Sequence, residues 1–181
     1  DEIREYIRNN NKIVAIGEIG LDYYWDENPP KEVQKEVFRS QMKLAEELEL
    51  PVVIHDRDAH QDTLEIIKEY PDVTGVVHCF SGSVEFAQEC IKLGYYIGFT
   101  GVVTFKNAKK IVQVAKEIPI DRILVETDCP YMSPEPNRGK RNRSDYIEYI
   151  INKISEIKEI EPAEANKVFN ENFKRLIYKE K

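Results

Sequence analysis

Five short apolar segments, rich in β-branched residues, recur along the chain, and each runs out into glycine or polar residues. They are "KIVAIGEIG" from Lys12, "LPVVIHDRD" from Leu50, "TGVVHCFSG" from Thr74, "YYIGFTG" from Tyr95 and "RILVETDCP" from Arg122. Four to six apolar residues in a row, without strict alternation, describe strands covered on both faces. Between them the apolar residues recur near every 3.6 positions. Over 31–50, Val33, Val37, Met42, Leu44, Ala45 and Leu48 recur near that period, and 61–70, 83–93 and 106–117 behave alike. Ser83 suits a helix start and Gly94 a helix stop. Two more amphipathic helices are predicted over 144–157 and 162–178, the second opening on Pro162.

Strand and helix alternating without hairpin signals predict an α/β fold built of βα units on a parallel sheet. An open doubly wound sheet usually carries a glycine-rich phosphate loop after its first strand, and "GEIGLD" does not supply one. A (β/α)8 TIM barrel usually takes about 250 residues and eight strands. With 181 residues and five strands, the chain is expected to form one domain over 1–181, the C-terminal part of such a barrel.

The charged fraction of 33% and hydrophobic fraction of 41% describe a folded chain, not a disordered one. No apolar run approaches the roughly 20 residues that cross a bilayer, and no signal-peptide pattern opens the chain. A soluble protein with no membrane partner follows as the expectation. Cys79, Cys90 and Cys129 are odd in number and form no CxxC pair. They predict a reducing, cytoplasmic setting and small buried apolar side chains, not a zinc knuckle or a disulfide frame. The net charge of −7 argues against a broad basic coat for nucleic acid but leaves room for a local basic patch.

The strand ends carry the chemistry. The first ends on Glu18, the second on His55, the third on His78, and the fifth on Glu126 and Asp128. Parallel strands bring their C-terminal ends to one face, so these residues should converge. Any one of them alone fits a hydrogen-bonded core histidine or a helix cap. Together, imidazoles and carboxylates suit zinc, manganese or another divalent ion. Such an ion could lower the pKa of a water or neutralise charge on a phosphoryl or carbonyl oxygen. His60 is expected at the surface or behind the site, not as a ligand.

A second motif is basic. In "PEPNRGKRNRSDY", Arg138, Lys140, Arg141 and Arg143 crowd a Gly/Asn/Pro-rich loop directly after the Asp128 strand. Taken alone this is a solvated charge run. At the rim of a metal site it reads as an anion clamp, and Arg57 is expected to join it. Tyr23, Tyr24, Trp25 and Tyr131 are candidates either for packing or for stacking bases at that rim.

In this order, "GEIGLDYY", "PVVIHDRDA", "GVVHCFSGS", "YYIGFTGVVTFKNAK", "ILVETDCPYMSP" and "NRGKRNRS" resemble the TatD family of metal-dependent deoxyribonucleases. The resemblance implies a TIM barrel of the metallo-dependent hydrolase group. It also implies hydrolysis of DNA phosphodiester bonds, as a 3′ to 5′ exonuclease on single-stranded DNA or 3′ ends, and a site for two divalent metals. By that resemblance Glu18 bridges both ions, His55 and His78 hold one, and Asp128 holds the other and serves as the catalytic residue that orients or deprotonates water. The family's His-x-His pair has no counterpart here, so the five strands are expected to be numbers four to eight. Two other functions fit the same residues: an ester or amide hydrolase, such as one acting on aminoacyl-tRNA, or a fragment that acts only through interactions.

Overall fold

A computed structural model describes residues 2–178 and places five parallel strands side by side in chain order. They are β1 (Ile16–Asp22), β2 (Val52–Arg57), β3 (Gly75–Val77), β4 (Tyr96–Phe99) and β5 (Ile123–Val125). The helices are α1 (Glu2–Arg8), α2 (Lys31–Glu47), α3 (His60–Lys68), α4 (Val84–Lys92), α5 (Lys109–Glu117), α6 (Ile147–Lys158) and α7 (Pro162–Tyr178). α1 was not signalled by the sequence pattern. Residue 1 and residues 179–181 of the domain expected over 1–181 lie outside the described residues.

Strand order decides between the two α/β architectures. Sequential order with right-handed crossovers puts every connecting helix on one face, whereas a doubly wound sheet needs a reversal of order. The packing agrees. Ile54, Val77, Ile97 and Ile123 lie in one buried cluster with Phe38, Met42, Ile66, Ala87 and Val114 of the helices. Their neighbours Val53, Val76, Tyr96 and Leu124 face the other way and pack with Leu176 and Ile177 from the end of α7. A cavity of about 390 Å³ opens over this second face, bounded by Val53, Val76, Leu124, Phe169 and Phe173. The sheet is therefore wound as a segment of barrel wall, with an inner apolar layer of its own. The inner face is in part covered by α7.

Local signals place the elements. Ser83 caps α4 by accepting the Phe86 N–H at 3.2 Å, and Gly94 past its end has φ +89°. α5 starts at Lys109, later than the expected 106, because Lys106 and Asn107 form a turn after the 3-10 segment Gly101–Thr104. β1 departs further. It starts four residues into "KIVAIGEIG" and runs on to Asp22, so Glu18 is its third residue and not its end. The pairing with β2 shifts register between Ile16 and Ile19.

The loop leaving β1 is anchored by Tyr23, whose hydroxyl donates to Asp62 Oδ2 at 2.6 Å. Tyr23 thus packs against α3 and does not join the rim. The bond holds the Asp62 carboxyl below its usual range, and burial with the Asp62 contact raises the Tyr23 phenol. A depressed acid stabilises the fold above its unfolded pKa of about 3.9 and loses that contribution as pH falls through its folded value. Tyr23→Phe should cost about 1 kcal/mol at pH 7. The gap from the wild type in urea or thermal melts should close as the pH is taken below about 3.9.

Candidate metal centre

Inward-facing positions at the top of the sheet carry the polar residues. Period-2 alternation puts His55 on the face of Val53, and carries the same inner face from Val76 to His78 and from Leu124 to Glu126. Two glycines make the space. Gly20 pairs with His55 at φ +134°, where a Cβ would collide with the His55 carbonyl oxygen. On β4, which lies between β3 and β5, a Cβ at Gly98 would sit 2.5 Å from Glu126 Oε1. Glycine there lets the Glu126 carboxylate reach across β4 to His78.

Glu18, His55 and His78 each offer one ligand atom, and these atoms lie within 4.8 Å of one another. Glu18 Oε1 is 2.7 Å from His55 Nδ1 and 3.3 Å from His78 Nε2. The far nitrogen of each ring meets a different carboxylate. His55 Nε2 is 3.2 Å from Asp22 Oδ2, and His78 Nδ1 is 3.0 Å from Glu126 Oε2. Glu126 Oε1 also accepts the Cys79 N–H at 2.6 Å. Each imidazole can therefore give its far N–H to a carboxylate and keep the near nitrogen's lone pair toward Glu18, as metal-binding histidines do.

The donor set fits a divalent cation. Ligand atoms around an ion at about 2.0–2.2 Å stand roughly 3–3.5 Å apart, close to the spacings seen. Four carboxylates, Glu18, Asp22, Glu126 and Asp128, cluster about two imidazoles, and among the described residues none of them is paired with lysine or arginine. Burial raises the Asp128 carboxyl, with His78 opposing and Glu126 and Glu18 adding to the rise. For His78, burial is the largest influence and disfavours its charge. The bond to Glu126 and the nearby carboxylates outweigh it, so the imidazole sits above its usual value. Asp128 feels the charges of Glu18, His55 and His78 but is not among the three converging ligands. It lies two residues beyond the Glu126 position, with φ +54°.

The basic residues expected to form a clamp have different partners. Arg57 is seated, its guanidinium 3.8 Å over the Tyr24 ring. Arg138 stacks 4.2 Å over Phe105, and Arg143 is paired with Asp145 at 2.9 Å. Lys140 and Arg141 are on the loop surface. Buried Asn142 ties this loop to the Asp128 turn, donating through Nδ2 to the carbonyls of Thr127 and Tyr131 at 2.6 Å each. His60 lies on the opposite side of β2, bonded to Asp56 at 2.6 Å and stacked on Phe86. The cysteines differ from one another: Cys90 is buried and Cys79 half-buried, whereas Cys129 is exposed. Cys129 follows the Asp128 turn out to solvent, and contacts with the Thr127 and Ser144 hydroxyls hold its thiol below the usual value.

Sequence reasoning placed Glu126 among the converging strand-end acids without a specific partner, read Asp22 only as part of a substrate wall after β1, and gave Asn142 no role. Strand parity was the available signal for the first two, since 18, 20 and 22 share one face of β1 and 124 and 126 one line from β5. Asn142 had none. Glu126→Gln keeps one acceptor for two donors, so zinc affinity should fall about 10–100-fold. Competition against a chromophoric chelator measures this, and an unchanged affinity would remove Glu126 from the site.

Comparison with known proteins follows the same lines. Residues 1–178 match the family described as TatD related DNase. That match covers nearly the whole chain and gives no support to the expectation of a missing N-terminal third. The chain is 53% identical over 169 residues to the Bacillus subtilis protein named uncharacterized metal-dependent hydrolase YabD, covering 92% of this chain and 66% of that one. It is 41% identical to Escherichia coli YcfH, of the same description, covering 92% and 63%. It thus spans about two thirds of the length of these relatives. The crystal structure of YJJV, a TatD homologue from Escherichia coli K12, superposes with a TM-score of 0.92 at 31% identity, over 98% of this chain and 69% of that one. A TatD family hydrolase from Entamoeba histolytica gives 0.87 at 29%, over 98% and 68%. On the sequence match and the shared fold, the chain belongs to the TatD-related DNase family.

Proposed function

We propose that the protein is a metal-dependent hydrolase that cleaves phosphodiester bonds of DNA, removing nucleotides from 3′ ends. The observation that carries the metal reading is the pair of imidazoles, each with one nitrogen toward Glu18 and the other held by its own carboxylate. Glu18, His55 and His78 would hold a divalent ion, and Asp128 would join them at a second position. A bound ion would supply positive charge beside a phosphoryl oxygen and lower the pKa of a water.

The chain's own residues do the rest. Asp22 and Glu126 fix the two rings in orientation and tautomer. Asp128, its carboxyl raised by burial, is suited to accept a proton from the attacking water. Arg57, Lys140 and Arg141 would hold neighbouring phosphates, with the forked guanidinium matching two oxygens at once.

His55→Ala and Asp128→Ala should each cut release of nucleotides from single-stranded DNA at least about 100-fold while leaving the circular dichroism unchanged. EDTA should abolish the activity, and zinc or manganese should restore it. Elemental analysis gives the number of ions per chain. RNA and carboxylic ester substrates run in parallel separate this reading from its neighbours. Full activity in either variant, or hydrolysis of esters alone, would overturn it.

A further inference from the structure

Beside the metal centre, the segment after β1 presents two large aromatic rings to solvent. Tyr24 is 51% exposed and Trp25 49%, their rings edge to face at 4.7 Å. Bulk packing does not explain them. Their backbone is nonetheless held firmly. The Tyr24 N–H donates to Asp22 Oδ1 at 2.9 Å, and the other oxygen of that carboxylate faces His55. Asn28 Nδ2 donates to the Asp22 carbonyl at 3.1 Å, and the Asn28 N–H donates to the Trp25 carbonyl at 3.1 Å.

A cation completes the ledge. The Arg57 guanidinium lies 3.8 Å over Tyr24 and 5.3 Å from the Trp25 ring. Stacking covers the flat face of a guanidinium and leaves its N–H edge able to grip an anion. Arg57 stands on the same face of β2 as His55, two residues further, so about 6–7 Å along the strand. An anion-gripping edge and an exposed ring, set at this reach from the metal ligands, match a chain of alternating phosphates and flat bases. A paired duplex hides its base faces in the stack; an unpaired strand offers them.

We infer that Trp25, spaced by Tyr24 and Arg57, is a stacking platform for an unpaired nucleobase adjoining the phosphate at the metal centre, and so selects single strands over duplexes. Arg57 grips the phosphate between that base and the next. The inference rests on the phosphodiester reading above and adds to it the residue that selects the substrate.

Trp25 is the sole tryptophan of the chain, so intrinsic fluorescence reports on it alone. The protein in EDTA is titrated with a single-stranded oligodeoxynucleotide, with an abasic oligomer of equal length, and with a duplex, and binding is followed in parallel by anisotropy of a labelled strand. The single strand should quench the emission, and the abasic oligomer should bind without quenching. Trp25→Ala should raise the Kd for the single strand about 5- to 150-fold, while Trp25→Phe keeps most of the affinity. Equal affinity for base-bearing and abasic strands, or binding of the base-bearing single strand without quenching, would overturn the inference. Hydrolysis by the manganese-loaded wild type is scored separately. Cleavage of DNA without quenching removes the platform and leaves the activity; quenching without cleavage removes the activity and leaves the platform.

Discussion

A β-strand turns successive side chains to opposite faces, and in this chain that alternation governs everything above the sheet. One set, Ile54, Val77, Ile97 and Ile123, must lie against the helices. The complementary set then faces inward, apolar at Val53, Val76, Tyr96 and Leu124 and polar one step higher at His55, His78 and Glu126. A slip of one residue in any strand would send a ligand into the helix layer. The apolar layer below thus fixes the register on which the site depends, and burial of that layer and not the polar groups supplies the stabilising energy.

The polar layer is held by complementary demands. An imidazole beside a carboxylate is oriented by it, and here each histidine meets one carboxylate on either side. The arrangement concentrates negative charge at one end of the barrel wall, and among the described residues no lysine or arginine is paired with it, which is the electrostatic profile of a cation site. Around it the positive side chains stand back at the rim, where Arg57 and Arg138 are each laid on an aromatic ring and not on an acid. They stay available to an anion for that reason.

Much of this was legible in the sequence, because it follows from short-range rules. Apolar runs marked the parallel strands, Ser83 and Gly94 marked α4, and the histidines and acids at strand ends marked the face where they meet. What escaped notice depends on three-dimensional neighbours. The start of β1 was misplaced because Ile13 and Val14 carry the same apolar signal as the strand itself, and only pairing with β2 decides which residues join. Tyr23 could not be told from Tyr24 by type, yet one turns in to Asp62 and the other out to Arg57. Asn142 looks like any loop residue, and its worth lies in two carbonyls, one of them 15 positions away.

Asp22 joins two parts of the molecule with a single side chain. One oxygen faces the His55 ring, and the other receives the Tyr24 N–H. Whatever settles on the aromatic ledge and shifts that backbone also shifts the carboxylate that aligns a metal ligand, and the reverse holds with equal free energy. Filling of the metal centre and any displacement of this segment are accordingly coupled through one side chain, so that the setting of the ledge tunes how strongly an ion is held.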